Sequence, residues 1–177
     1  ILGKDPMPDA GTTAYKIADA NANGNINVSD VIHQVYFILG IVPAPRPLAV
    51  ASGPVTVSLG DTRIGPDGRQ LVPVLLGGGS MISGVQMTFT YDPSLMTVGE
   101  VVKTEYDGGL IWQHHAADGV YRLVGYSMVP GTGLRVSSGP AFWLPVSVTG
   151  EDGGSLTLTE VLMAGPAANI IAVTLGT

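Results

Sequence analysis

The chain has 177 residues, no cysteine, a net charge of −6 and 12% charged residues against 45% hydrophobic ones. Without cysteine, no disulfide framework, thiol nucleophile or cysteine-based zinc site is possible; without a basic cluster, nucleic acid is a poor partner, because releasing phosphate counterions takes Lys and Arg. A charged fraction about half the ~25% usual for soluble domains predicts a surface of Ser, Thr, Gly and Asn, or one covered by partners, with little repulsion between copies.

In chain order, Ala14, Tyr15 and Ile17 suggest a short helical approach to the run Asp19–Asp30. That run has the spacing of an EF-hand-type calcium loop. Oxygen side chains stand at loop positions 1, 3, 5 and 12 (Asp19, Asn21, Asn23, Asp30), Gly24 stands at position 6 and Ile26 at position 8. A hard cation needs six or more oxygens, and alternate residues of a tight loop all point inward. Gly24 allows the turn, Asn25 offers a backbone carbonyl, Ile26 anchors the loop to a core, and Asp30 closes the cage as a bidentate carboxylate. An Asn-rich surface turn without metal is the plainer alternative. Against it, Val28, Val31, Ile32, Val35, Ile38 and Leu39 recur at helical spacing, with Ser29 as N-cap and Gly40 and Pro43 as the stop. Two formal charges, Asp19 and Asp30, imply weak affinity suited to the ~millimolar calcium outside cells.

Residues 41–54, rich in proline and without period, read as a semi-rigid extended linker. From Val55 the texture becomes short apolar runs between Gly, Asp and Pro turns. Nine strands are expected near Val55–Leu59, Gln70–Leu76, Ser83–Tyr91, Leu95–Val98, Leu110–His115, Val120–Ser127, Gly139–Thr149, Ser155–Met163 and Ile170–Leu175. Such a succession predicts a mainly β antiparallel sandwich. Val85, Met87, Phe89 and Tyr91 face its core by alternation. Val120–Tyr126 alternates less cleanly, as a strand covered on both faces does.

Signs of catalysis are thin. His114 and His115 are neighbours on a strand and point to opposite faces. Asp61, Asp67, Asp92, Glu105, Asp107, Asp118, Glu151 and Asp152 mostly lie in turns, and Asp61 with Asp67 is a weak second calcium candidate. Ser127, Ser137 and Ser138 lack a nucleophile-elbow context. The chain reads as non-enzymatic, with no catalytic residue assigned. A carbohydrate-binding module would need exposed rings; Tyr106, Trp112 and Trp143 form no linear platform, and Trp143 reads as buried. No apolar run is long enough to cross a membrane.

An internal echo concerns organisation. Ile1-Leu2-Gly3-Lys4-Asp5-Pro6-Met7-Pro8 matches Ile38-Leu39-Gly40-Ile41-Val42-Pro43-Ala44-Pro45 at five of eight positions. The expectation is that Ile1–Gly3 ends a preceding copy of the loop-helix unit; a start at Ile1 without a signal peptide fits a processed secreted chain or a partial sequence.

The segment Lys16–Ile32, with its Asn-Val-Ser-Asp-Val step and the terminal Phe37-Ile38-Leu39-Gly40, resembles a type I dockerin repeat, the second of two. The resemblance implies calcium on Asp19, Asn21, Asn23, Asn25 and Asp30, with Asn23 standing where the family usually has Asp. It makes Val28 and Ser29 candidate partner contacts. Residues 55–177 resemble a cohesin-type jelly-roll β-sandwich, through Val55-Thr-Val-Ser-Leu-Gly, Leu71-Val-Pro-Val-Leu, Ile82–Met96 with its Tyr91-Asp92-Pro93 step, and Gly165…Ile170-Ile-Ala-Val. The implied division is a dockerin-like segment over 1–40, a linker over 41–54 and a cohesin-like domain over 55–177. A chain holding plug and socket is expected to be an extracellular or cell-surface structural protein, stabilised by calcium. It would self-assemble head to tail with other copies of itself into a filament, tube or layer. Exchange of the first or last strand is a second route to the same polymer. The alternative is an adaptor in a cellulosome-like complex, with a cohesin- or dockerin-bearing protein as partner.

Overall fold

The computed structural model describes residues 2–39, 54–129, 131–135, 139–149, 153–166 and 168–176. The expected linker lies outside the described residues except for Pro54, as do Ile1, Ser137, Ser138, Glu151 and Asp152. Two helices come first, α1 (Thr13–Ala18) and α2 (Val28–Ile38). The strands are β1 (Val55–Leu59), β2 (Arg63–Ile64), β3 (Gln70–Gly77), β4 (Met81–Ile82), β5 (Gly84–Thr90), β6 (Met96–Val98), β7 (Val102–Lys103), β8 (Ile111–Ala117), β9 (Val120–Tyr126), β10 (Leu134–Arg135), β11 (Pro140–Val148), β12 (Thr157–Ala164), β13 (Ile170–Ile171) and β14 (Val173–Leu175).

They form a sandwich. One sheet has the order β14-β1-β3-β11-β6, with β2 beside β3 and β7 beside β11; the other has the order β13-β12-β5-β9-β8. β4 and β10 pair separately. Every expected run falls on a strand, and the short β2, β4, β7 and β10 are additions too brief to show a period. The run Ile170–Leu175 divides at Ala172. Ile170–Ile171 pairs with β12 in the five-stranded sheet, and Val173–Leu175 pairs with β1 in the other, so the chain changes layers within one step. Among the described strand pairs β1–β14 is parallel and the others are antiparallel.

Alternation builds the core. Val85, Met87 and Phe89 of β5, Tyr121 and Leu123 of β9 and Met163 of β12 face Val55, Val57, Val74, Phe142 and Leu144 of the opposite sheet, all fully buried. Each such side chain contributes about 1.5–3 kcal/mol of burial. Trp112 lies over Gly125, where a Cβ would stand 2.5 Å from its ring, and packs on Phe142 with centroids 4.6 Å apart. Glycine at 125 is therefore what lets the indole reach the core. Trp143 is half-buried, correcting the sequence reading: its neighbours Phe142 and Leu144 point inward, so strand alternation turns it outward.

Candidate functional site

The outer face of the five-stranded sheet carries α2. Register places Gly84 and Gln86 of β5 beside Tyr126 and Val124 of β9, all on the face turned away from the core. Val28, Ile32, Val35 and Tyr36 are buried against Val124 and Ala164, with Leu2, Tyr126 and Ala168 packed around them. The i, i+4, i+7, i+8 spacing makes one apolar stripe. Gly84 sets how close it comes: a Cβ there would stand 3.0 Å from both Ile32 Cγ1 and Val28 Cγ2. This cover explains the weak alternation of β9, whose Val124 is buried on the outer face while Leu123 is buried in the core.

Two polar ties fasten the helix to the turn between β12 and β13. Ser29 Oγ donates to the Ala168 carbonyl at 2.8 Å, and the Tyr36 hydroxyl donates to the Pro166 carbonyl. Ala168 is left-handed, with φ +56°. Burial pushes the Tyr36 phenol above its ordinary pKa. Asn27, and not Ser29, is the N-cap. Its side chain accepts from the Ser29 amide at 2.8 Å, while Asp30 Oδ2 accepts from the Asn27 amide at 2.8 Å, a reciprocal capping box. Ile38 and Leu39, expected in the stripe, are exposed together with Phe37; they follow the last turn that the sheet supports.

The loop before the helix is drawn in around its own oxygens. Asp19 Oδ1 and Asn21 Oδ1 both accept from the Asn23 amide at 3.0 Å, and Asp19 Oδ2 accepts from the Gly24 amide at 2.9 Å. Asn23 Oδ1 accepts from the Asn25 amide at 2.8 Å. Asp30 Oδ1 reaches the Asn21 amide at 3.2 Å, so the twelfth position closes on the third and, through Oδ2, on the ninth. Gly24 has φ +83°, the left-handed conformation that position 6 requires. Tyr15 of α1 donates to the Gly24 carbonyl at 2.7 Å, and Asn21 Nδ2 donates to Ser29 Oγ at 2.7 Å. Asp19, Asn21, Asn23 and Asp30 thus fold the loop onto its own amides, and their oxygens are of the kind a hard cation takes. Among the described residues, no three Asp, Glu, His or Cys side chains converge on one point; the loop itself offers two carboxylates, Asp19 and Asp30, and otherwise amide oxygens.

Ile26 and Val31 line a cleft of about 470 Å³ with Leu2 to Pro8, Ala18, Gln113, Val124 and Tyr126. Arg122 lies against Gly3 at its edge. Val28 and Ser29, named as partner contacts, lie in the seam against the chain's own sheet. His114 stacks on Tyr121 inside, at a centroid distance of 5.4 Å, while His115 pairs with Arg122 in the outward-facing register. Asp67 is exposed and held by Arg69, whose backbone and side-chain hydrogen bonds lower its pKa. Trp112 lies on the core side of its sheet and Trp143 on the outside of the opposite sheet, so the two indoles do not share a face.

Sequence reasoning missed Gly84, Val124 and Ala164 as the helix's seat. The available signal was a glycine opening an alternating strand, which marks close approach by another backbone.

No protein-family model matches the chain, and no curated protein matches it in sequence. Solved structures do match in shape. The sixth cohesin of scaffoldin B from Acetivibrio cellulolyticus, in complex with a Cel5 dockerin, superposes with a TM-score of 0.57 at 15% identity, over 70% of this chain and 95% of that one. A type I cohesin–dockerin complex from Clostridium thermocellum gives 0.55 at 16% identity over 74% and 94%. A non-cellulosomal cohesin from Archaeoglobus fulgidus gives 0.53 at 14% identity over 70% and 86%. The fold is therefore a cohesin-like jelly-roll sandwich with a small helical segment at its N-terminal side.

Proposed function

We propose that this chain is a protein–protein interaction module whose five-stranded sheet receives a calcium-ordered loop-helix on its outer face. The observation that carries the reading is the seating of α2: four buried apolar residues over Gly84, Val124 and Ala164, at the exit of a loop built from Asp19 and Asp30. The likeness to cohesins solved with dockerins supports the same reading. The partner is a dockerin-like loop-helix on another protein, as in an adaptor of a cellulosome-like assembly. The expected setting is extracellular, where calcium is plentiful. Asp19, Asn21, Asn23 and Asp30 would hold the ion through side-chain oxygens and Asn25 through its carbonyl. The ion would neutralise the two carboxylates and fix the loop at the start of α2.

Plug and socket in one chain favour a second reading, in which α2 of one copy seats on the sheet of the next. That contact is heterologous and builds a head-to-tail polymer unless the rotation closes.

A complementary pair of full-length variants tests the receptor role. Ile32→Asp spoils the helix and leaves the sheet open; Gly84→Val spoils the sheet and leaves the helix free. Mixing them should protect the α2 amides of the Gly84→Val variant from hydrogen exchange, as neither variant alone does, and chelator should remove that protection. Unchanged α2 exchange in the mixture refutes the receptor role; protection indifferent to chelator refutes the calcium assignment. A ladder of wild-type species beyond the dimer in sedimentation favours the polymer, and the absence of such a ladder favours the adaptor.

A further inference from the structure

We propose that β8 is a self-pairing edge, through which two copies of this chain join their five-stranded sheets into one continuous sheet. The proposal does not depend on how α2 is used, because β8 lies at the sheet border, with β9 as its partner strand.

The argument begins with how the sandwich treats its borders. An exposed strand edge offers a row of unpaired amides and carbonyls, and proteins blunt such rows with short strands, charges, proline or bulges. Here β13 has two residues, β14 and β6 three each, and β2 and β7 two each. The part of β12 beyond β13 is broken by a register shift between Leu158 and Glu160 and carries the Glu160 carboxylate. β8 departs from this pattern. It runs seven residues, Ile-Trp-Gln-His-His-Ala-Ala, with an unbroken register to β9 and no Lys, Arg, Asp, Glu, Pro or Gly. Among the described residues, no hydrogen bond reaches its outer side.

The occupant follows from the sequence of the strand. Laid antiparallel on a second copy about His114, β8 sets Ile111 against Ala117, Trp112 against Ala116 and Gln113 against His115 of the other copy. Large side chains meet small ones, an amide meets an imidazole on either side of the centre, and at the centre His114 meets His114 of the other copy. Register puts Ile111, Gln113, His115 and Ala117 on the outward face and Trp112, His114 and Ala116 on the core side. Pairing therefore preserves the division between faces that a one-residue slip would invert. A cleft of about 420 Å³ beside the strand, lined by Glu100, Val101, Lys103 and Ile111 to His114, leaves the approach open.

The test uses the full chain. Sedimentation across a concentration series should show a monomer–dimer equilibrium, and amides of residues 111–117 should gain hydrogen-exchange protection as the dimer fills. The double variant Gln113→Lys with His115→Lys sets like charges opposite each other twice and should weaken self-association about tenfold or more. Gln113→Glu with His115→Glu should do the same alone, and an equimolar mixture of the two should restore the dimer. A monomer at every concentration overturns the proposal. So does a dimer that the charged variants leave unchanged, or one whose protection lies on α2 instead of β8. Should the variants misfold, the wild-type exchange pattern still decides between these outcomes. Capture of an unrelated extended peptide by β8, without self-association, also overturns it.

Discussion

The described residues form two apolar seams, one enclosed and one open at its sides. In the sandwich core, Phe89, Tyr121, Phe142 and Leu144 are surrounded by two sheets that share many hydrogen-bonded strands. The α2 seam has four helix residues on a shallow floor of Gly84, Val124 and Ala164, closed by Leu2 and two side-chain ties. The same kinds of side chain serve both. What differs is how many neighbours must move before a group meets water, and that sets how separately each region opens. The second kind of seam is the one whose cover can open while the sheet beneath stays folded.

The largest expected effect falls on the core. Phe142→Ala should cost about 3–5 kcal/mol by urea denaturation, in one cooperative transition that takes the helix with it. Ile32→Ala should remove about 2 kcal/mol from the seam, where α2 can settle into the gap, and leave the sandwich transition in place. Exchange of the α2 amides reads this directly; a loss shared equally by β5 and β9 would mean that the seams are one unit. Asn27→Ala removes the cap and should cost about 1 kcal/mol, confined to the same helix.

The smallest effect is pH-dependent. Burial raises the Tyr36 phenol above its ordinary value of about 10. The docked helix keeps that proton where the detached helix would release it. Docking is therefore at full strength below about pH 10 and weakens as pH climbs through the raised value. Tyr36→Phe should flatten this alkaline loss and cost about 0.5–1.5 kcal/mol at neutral pH for the hydrogen bond to Pro166. Burial, with Glu100's charge second, also pushes Tyr121 up, so the sandwich too loses stability as pH rises past the ordinary phenol value.

Much of this was readable from residues. Alternation in β5 named the core side chains, Gly24 named the loop's turn, and the spacing of Val28, Ile32 and Val35 named an amphipathic helix. A periodic stripe says which side of a helix is apolar but carries no information about what covers it. That is why the seat on β5, β9 and β12 was not foreseen. By residue type Ser29 and Asn27 are equally good caps. The choice of Asn27 came from Asp30, which reaches back to the Asn27 amide only when the helix begins at Val28. Ile38 and Leu39 continue the apolar period past the last supporting turn, a boundary set by the width of the sheet.

The parallel pairing of β1 with β14 carries a mechanical consequence. Val55, Thr56 and Val57 pair in register with Val173, Thr174 and Leu175, so the sandwich's first and last strands run the same way side by side. Tension between Pro54 and Gly176 then slides one strand along the other and loads the rungs between them together, whereas a hairpin pulled from its open end gives them up one at a time. A module joined to neighbours at both ends would resist stretching through this pair, with the Gly176 amide bonded to the Val57 carbonyl at 2.7 Å as an added rung.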